Sequence, residues 1–435
     1  MQQVNLGMIG GGTVGSGVFH AWQKNGGLMA ARLGVKLVFR KIAVKAFDEP
    51  RPYPIARNLM TTDWQEVVND PEIHIVIELV GGTGIAKTMV LAALEKGKTV
   101  VTANKALLSA HGPELFAAAA KSGANLYYEA SVCGGIPIIK SLREGFVANQ
   151  FPAIYGIVNG TCNYILSRMK AEGADFAAVL ADAQKHGYAE TPPDLDIDGH
   201  DAQHKIGILA SLAHGFWADH HEIHTEGIRD VSKIDMQFAE KLGYTIKLLG
   251  IAKQISGKKT GVQVSVYPTL IPNSHVLASV NGVFNACFVR GDIVGDTLFY
   301  GRGAGKDATA SAVLSDVADA ALDFKNGTKV RVPPFVGHEK KCRVMPMDEI
   351  VSRYYVRFSV VDKPGVLAKI AAIFAAAKIG ISSVIQPEGH EGESVPLIFM
   401  IHDAPNAAMR KALADIAKLP VVKAKPVMLR VENFE

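Results

Sequence analysis

Along the first 130 or so residues, short unbroken apolar runs alternate with longer stretches whose apolar positions recur every three to four residues. VNLGMIG (Val4–Gly10), KLVFRKIAV (Lys36–Val44), IHIVIELV (Ile73–Val80) and KTVVTAN (Lys98–Asn104) read as strands. Their apolar runs suit strands covered on both faces. A helix through Val18, Phe19 and Trp22 follows the first, TMVLAALEKG closes at Gly97, and PELFAAAAKSG closes at Gly123. A glycine after the last periodic residue is a common helix stop. Strand and helix alternating in this way predict an α/β fold with a Rossmann-type, doubly wound parallel sheet.

From about Glu129 the pattern changes. YGIVNGTCNYILSRMK reads as strand, turn and helix, and the stretches Lys259–Ile271 and Ser279–Gly303 alternate like antiparallel strands. An α+β domain is expected here, with an open sheet for substrate or dimerisation. ATASAVLSDVADAAL is a helix that could return to the first domain. The run Asn326–Pro346, rich in proline, glycine and charge, reads as a linker, and the rest gives β-α-β-β-α-β, the ferredoxin-like order. The expected division is a dinucleotide domain over 1–130, completed by a helix near 305–325. A substrate and dimerisation domain follows over 131–304, then a linker over 326–352 and a small module over 353–435.

Composition narrows the class. Of 435 residues 48% are apolar, and the formal net charge is only +4. That tolerates an anionic small ligand but falls far short of the basic load of a nucleic-acid binder. The four cysteines are scattered without metal-type spacing and read as free thiols of a reducing compartment. The N-terminus runs straight into a strand, and no apolar run is long enough to span a bilayer. A cytoplasmic protein without membrane partners is expected.

The turn after the first strand is Gly10-Gly11-Gly12-Thr13-Val14-Gly15, which satisfies G-x-G-x-x-G between a strand and a helix. In that context Gly10 permits the tight turn, Gly12 lets the backbone approach a pyrophosphate, and Gly15 lets helix and sheet pack closely. The helix N-terminus supplies N–H groups and positive dipole. An acid near the end of the second strand would favour NAD, a base NADP. Here Arg40, Lys41 and Lys45 come first and Asp48 and Glu49 late, so the charge favours NADP with NAD as the alternative.

A second unusual stretch is DIDGHDAQHKI, Asp196–Ile206. Asp201 and Lys205 are four apart, on one face of a helix starting near Gly199. Such a pair is commonly a solvated one worth a few tenths of a kcal/mol. Asp194, Asp196 and Asp198 have the alternate spacing of a calcium loop but lack its glycine at the sixth position and its acid at the twelfth. After Pro192 and Pro193 they fit a substrate loop and helix N-terminal charge better.

These motifs occur together in a specific order: GMIGGGTVGSGV, VTANKALLS, YEASVCGGIPII, IVNGTCNYIL, AETPPDLDIDGHDAQHKI and GRGAG. In that combination the chain resembles the homoserine dehydrogenases over nearly its whole length, and VDKPGVLAKIAAIFAAAKIGISSVIQ resembles an ACT domain, a small-ligand regulatory module. The resemblance implies interconversion of L-homoserine and L-aspartate 4-semialdehyde, in threonine, methionine and isoleucine biosynthesis. It implies Lys105 at the junction of cofactor and substrate, and Lys205 as the acid/base. Glu190 and Asp201 would hold homoserine, with Asp196, Gly160 and Thr161 in the substrate motifs. Thr13, Val14, Lys105 and Gly303 would lie near the cofactor, beside the glycines and the bases Arg40 and Lys45. Glu129 with the carbonyls of Val132, Gly134 and Ile136 matches a monovalent-cation site, such as one for Na⁺; the family often has a small residue where this chain has Cys133.

The chemistry raises the weight of the Asp201–Lys205 pair. Oxidising the alcohol requires a proton taken from O4 while hydride leaves C4, and a lysine beside a second cation in a partly dry site holds its own proton less readily. The α-ammonium group of homoserine needs carboxylates such as Glu190. Family likeness further implies threonine as effector, bound near Asp362–Gly365, and a homodimer or homotetramer. Removal of the module after about Pro333 is then expected to leave an active enzyme deaf to threonine. Two other readings stay open: a non-catalytic amino-acid sensor that keeps the nucleotide fold, which has no need of two active-site lysines, and a related dehydrogenase for another amino alcohol.

Overall fold

The computed structural model describes residues 1–255, 260–387 and 394–434; Glu435, the expected end of the C-terminal module, lies outside them. The N-terminal half opens with β1 (Gln2–Ile9), α1 (Thr13–Leu33), β2 (Val35–Ala43), β3 (Met60–Thr61) and β4 (Ile75–Glu78). It continues with α2 (Ile85–Glu95), β5 (Thr99–Thr102), α3 (Lys105–Ser122) and β6 (Leu126–Tyr127). The six strands are all parallel, in the order β3-β2-β1-β4-β5-β6. The order reverses between β1 and β4, so a crevice opens at the carboxyl end of β1, where the glycine turn lies. Val4, Leu6, Met8, Ile75, Ile77 and Val101 are buried at the centre, as their apolar runs require.

Next come β7 (Ala153–Ile157), α4 (Gly160–Glu172), α5 (His200–His214), β8 (His224–Thr225), β9 (Tyr244–Ile255) and β10 (Gly261–Pro272). They are followed by β11 (Phe284–Gly291), β12 (Gly295–Arg302) and α6 (Lys306–Lys325). The compact units do not follow sequence order. One comprises Met1–Val158, His204–His220 and Phe284–Arg343; the other comprises Asn159–Gln203, His221–Val283 and the chain from Val344. In the first unit α6 joins the core of the parallel sheet through Ala310, Val313, Val317 and Ala321. The approach of α1 is close: a Cβ on Gly17 would lie 3.0 Å from the Lys306 carbonyl oxygen. The first unit also holds antiparallel β7, β11 and β12. Its segment after α6 is strapped down rather than free. Arg331 pairs with Glu144, Asp319 and Asp323, and Arg143 Nη2 donates to the carbonyls of Val332 (3.0 Å) and Pro333 (2.7 Å).

The second unit ends in β13 (Val351–Val361), α7 (Val366–Ala376), β14 (Ile381–Ile385), β15 (Ser394–Pro405), α8 (Asn406–Ile416) and β16 (Val427–Val431). The strand order β16-β13-β15-β14 is ferredoxin-like, over a core of Phe358, Ile370, Phe374, Phe399 and Met409. This module is not a detachable appendage. Its last strand pairs in parallel with β10, Arg430 opposite Thr269 and Val431 opposite Leu270. Asp235, with no exposed surface, accepts from Tyr355 Oη (3.0 Å) and from Arg357 Nε (2.7 Å) and Nη2 (3.1 Å). A cut after Pro333 would strip those partners from a buried carboxylate, which argues against an intact truncated enzyme.

Candidate active site

The glycine turn is built by backbone crowding. Gly10 has φ +107°, and a Cβ there would lie 2.6 Å from the Leu79 carbonyl. Its N–H donates to the Ala43 carbonyl at 2.9 Å. A Cβ on Gly15 would sit 1.9 Å from the Gly10 oxygen, so strand and helix meet there with no room for a side chain. Gly12 caps the 21-residue α1 and faces open space, with nothing within 4 Å of a Cβ position. Thr13 is exposed and Val14 half-buried on the first turn. An adjacent cavity of about 350 Å³ is lined by Gly10, Gly11, Gly12, Lys45, Glu49 and Trp64 among others. N–H groups at a helix N-terminus beside a roomy cleft fit a dinucleotide's pyrophosphate. Lys45 and Glu49 both reach this cleft, one base and one acid. Arg40 does not line it: the side chain pairs instead with Asp70 and Glu72.

The ends of β4 and β5 set the position of Lys105. Glu78, fully buried, accepts from Thr102 Oγ1 (2.6 Å) and from the backbone N–H of Val80 (2.7 Å). Thr102 Oγ1 in turn accepts from Asn104 N (3.0 Å), and Asn104 caps α3 by accepting from Leu107 N (3.1 Å). Lys105 is the first residue of that helix. The sequence signal for Glu78 is slight: a single acid inside an otherwise apolar strand.

Lys205 lies on α5, where Ile206 and Leu209 are buried and Leu212 is partly so. It is only 7% exposed, and its Nζ donates to the Val158 carbonyl at 2.8 Å. One turn earlier on the same helix is Asp201. Its Oδ2 accepts from Asn159 Nδ2 at 2.9 Å, and the same amide donates to Asp196 Oδ1 at 2.7 Å. Two carboxylates thus converge on one amide group. Asn159 also caps α4, accepting from Cys162 N at 2.8 Å, and Cys162 Sγ donates to the Asp196 carbonyl at 3.1 Å. Gly160 and Thr161 open that helix, with Thr161 Oγ1 donating to the Tyr188 carbonyl. Asn159 has no signal of this role in the sequence beyond standing in IVNGTCNYIL directly before Gly160 and Thr161. Glu190 is exposed, and among the described residues its carboxylate has no hydrogen-bond or ion-pair partner.

The segment from Glu129 to Ile136 is buried except at Gly135, with Cys133 at φ +56° and Gly134 at φ +44°. Glu129 Oε1 and Oε2 accept from the N–H groups of Ile139 (2.9 Å) and Lys140 (2.6 Å). Burial nevertheless dominates and pushes its carboxyl up to about 7. The Ile136 carbonyl already accepts from Ile138 N at 2.8 Å. Gly303 packs against this loop, since a Cβ on Gly134 would lie 2.6 Å from the Gly303 oxygen. Cys133 Sγ lies 3.6 Å from Cys287 Sγ, both as free thiols.

Comparison with known proteins bears on this arrangement. Family models described as "Homoserine dehydrogenase, NAD binding domain", "Homoserine dehydrogenase" and "ACT domain" match residues 10–129, 137–318 and 354–420. A homoserine dehydrogenase from Synechocystis sp. is 41% identical over 98% of this chain and 99% of its own. The crystal structure of a homoserine dehydrogenase from Thiobacillus denitrificans superposes with a TM-score of 0.92 at 40% identity, covering 100% of this chain and 99% of that one. A hyperthermophilic archaeal homoserine dehydrogenase in complex with NADPH matches 74% of this chain and 99% of its own, with a TM-score of 0.62 at 27% identity.

Proposed function

The chain belongs to the homoserine dehydrogenase family, an oxidoreductase family with a nucleotide-binding domain and here an ACT module, and we propose that Lys205 is its proton-exchanging group. The observation that carries this is one helix bearing a buried lysine amine and, a turn earlier, a carboxylate converging with Asp196 on Asn159. In oxidation Lys205 takes the proton from O4 of homoserine; in reduction it returns one to the aldehyde oxygen of L-aspartate 4-semialdehyde. A bound NAD(P) supplies or accepts the hydride at C4. Its pyrophosphate would be held by the N–H groups of Gly12, Thr13 and Val14. Lys105 would lie between cofactor and substrate, with Gly303 near the cofactor. Asp196 and Asp201 hold the α-ammonium group, with Asn159 keeping both acids in register and Gly160 and Thr161 forming the adjoining turn. Glu190, exposed beside Thr191, is the further acid proposed for that group.

Further parts of the reading have narrower support. NADP is the proposed cofactor, with NAD as alternative, on the charge of Lys45; Glu49 on the same cleft pulls the other way. A monovalent cation such as Na⁺ is proposed at Glu129, Val132, Gly134 and Ile136, although Glu129 is already engaged by two N–H groups. Threonine is proposed as effector at Asp362–Gly365, where a cavity of about 410 Å³ also includes Gln386, which donates to Asp362 Oδ1 at 2.9 Å. A homodimer or homotetramer is supported by exposed Ile293, Leu298 and Tyr300 on and beside β12. A cytoplasmic location is supported by the four free cysteines. Among the described residues no helix is long and apolar enough to cross a membrane.

Steady-state oxidation of homoserine with NADP and with NAD, each with and without threonine, tests these assignments together. Asp201→Asn should raise KM for homoserine without changing cofactor affinity. An unchanged KM would remove Asp201 from the substrate site.

A further inference from the structure

The acids read as holding the substrate sit on a turn with little support of its own. Asp194–Ile197 is a single helical turn, and α5 begins only at His200. What braces it comes from the segment Glu226–Arg229. The Arg229 guanidinium pairs with both oxygens of Asp198, Nη2 to Oδ2 at 2.9 Å, and reaches Asp194 as well. Those two acids flank Asp196 on either side. Ile228 N donates to the Ile197 carbonyl at 2.8 Å. Gly227 lies so close beneath that a Cβ would fall 2.1 Å from the Ile197 oxygen.

The other end of the segment is anchored elsewhere. Glu226 N donates to the Val266 carbonyl on β10 at 2.8 Å. Its carboxylate receives Arg430 Nη1 (2.9 Å) and Nη2 (3.0 Å), and Arg430, on the last strand, is 1% exposed. Arg430 Nη2 also donates to Asn406 Oδ1 at 3.0 Å, at the start of α8. Four consecutive residues therefore touch the C-terminal module at one end and the acid-bearing turn at the other.

We propose that Arg229 is a positioning residue for the reaction: it holds the Asp194–Asp198 turn so that Asp196 meets Asp201 over Asn159, with the Glu226–Arg430 pair fixing its segment to the last strand. The proposal rests on the reading of Asp196 and Asp201 as the substrate-holding acids. A planar fork can grip Asp198 with two bonds and reach Asp194 at once; an ammonium group offers no such fixed geometry. With Arg229 gone, Asp194 and Asp198, on either side of Asp196, would lose the guanidinium that ties them together. The pairs are 33–59% exposed, so their net worth to folding is small and their effect belongs to geometry.

The test uses the full chain. Arg229→Met should raise KM for homoserine roughly tenfold, about one factor of 1.4 kcal/mol. Cofactor affinity and the melting temperature should hold. Arg229→Lys should recover part of the loss, and Glu226→Gln, which keeps the shape but weakens the anchor, should raise KM less than Arg229→Met. Asp196→Asn and Asp201→Asn serve as controls. If both control variants raise KM while neither Arg229 variant does, the positioning role is overturned and the substrate reading stands. If the controls leave KM unchanged, the substrate reading falls and this proposal with it. A parallel loss of cofactor affinity and melting temperature in Arg229→Met would mean a merely structural role and would also overturn it.

Discussion

Replacing Lys205 by methionine separates the lysine's two jobs. The side chain is 7% exposed and its Nζ donates to the Val158 carbonyl at 2.8 Å. Methionine has nearly the same length and no polar end, so it fills the space without opening a cavity. It does leave the Val158 oxygen without that donor, at a cost of about 1–3 kcal/mol of stability. The chemical loss should be larger: removing a positioned general base costs on the order of 10²–10⁴-fold in rate. The glycine turn and its cleft lie on β1 and α1, away from this helix in sequence, so cofactor affinity should stay within about twofold of the parent. Stopped-flow hydride transfer under single-turnover conditions reads the first effect, and urea unfolding reads the second. In a Lys205→Ala variant, added small primary amines should restore part of the rate in proportion to their concentration. The reasoning fails if Lys205→Met transfers hydride within about tenfold of the parent rate while remaining folded.

Other expectations follow from the same structure. Lys45→Glu should weaken NADP binding by roughly tenfold and NAD binding by less; equal losses in cofactor titrations would mean that Lys45 does not read the 2′ position. Gly15→Ala forces a Cβ to within 1.9 Å of a backbone oxygen, and should cost about 1–3 kcal/mol in thermal unfolding together with cofactor affinity. Asp235→Ala leaves Arg357 without its buried partner and should destabilise the chain by about 3–5 kcal/mol; the Asp235→Leu, Arg357→Met double variant should lose less than the sum of its parts, and truncation after Pro333 should yield no soluble active enzyme. His214 is held neutral by burial and by nearby His338, down to about 4 from an ordinary 6.5. Its folded pKa is depressed, so its stabilising contribution is complete above about pH 6.5 and is lost as pH falls toward about 4. His214→Leu should therefore flatten the loss of stability over that window by up to about 3 kcal/mol, and an unchanged slope in urea melts across it would refute the assignment.

Much of the proposed site is legible in the chain because its parts are local. The glycine turn is legible in its spacing: a Cβ on Gly15 has no room against Gly10 across one strand-to-helix bend, although the Leu79 backbone that crowds Gly10 comes from the end of β4. Asp201 and Lys205, on one helix, share a face by their spacing alone. Glu78 and Asn159 were harder, since each acts by holding something else. Nothing about an asparagine before a glycine reveals that its amide will bridge two acids 37 and 42 residues further on. Arg40 carries a suitable charge in a suitable stretch, but its side chain pairs with Asp70 and Glu72, and the Glu190 carboxylate is exposed to solvent.

The sequence by itself determined the layers of this protein: a parallel sheet from buried apolar runs, antiparallel strands from alternation, and a ferredoxin-like module from its order of elements. These follow from periodicity, which is a property of residues close together along the chain. The tertiary structure alone decided how the pieces combine. It wove Asn159–Gln203 and His221–Val283 into one unit with the C-terminal chain. It joined β16 to β10 and sealed the joint with Arg430 on Glu226. A buried charge must find its partner or pay several kcal/mol, but which distant residue answers it is settled by packing of whole elements, and no local pattern encodes that choice.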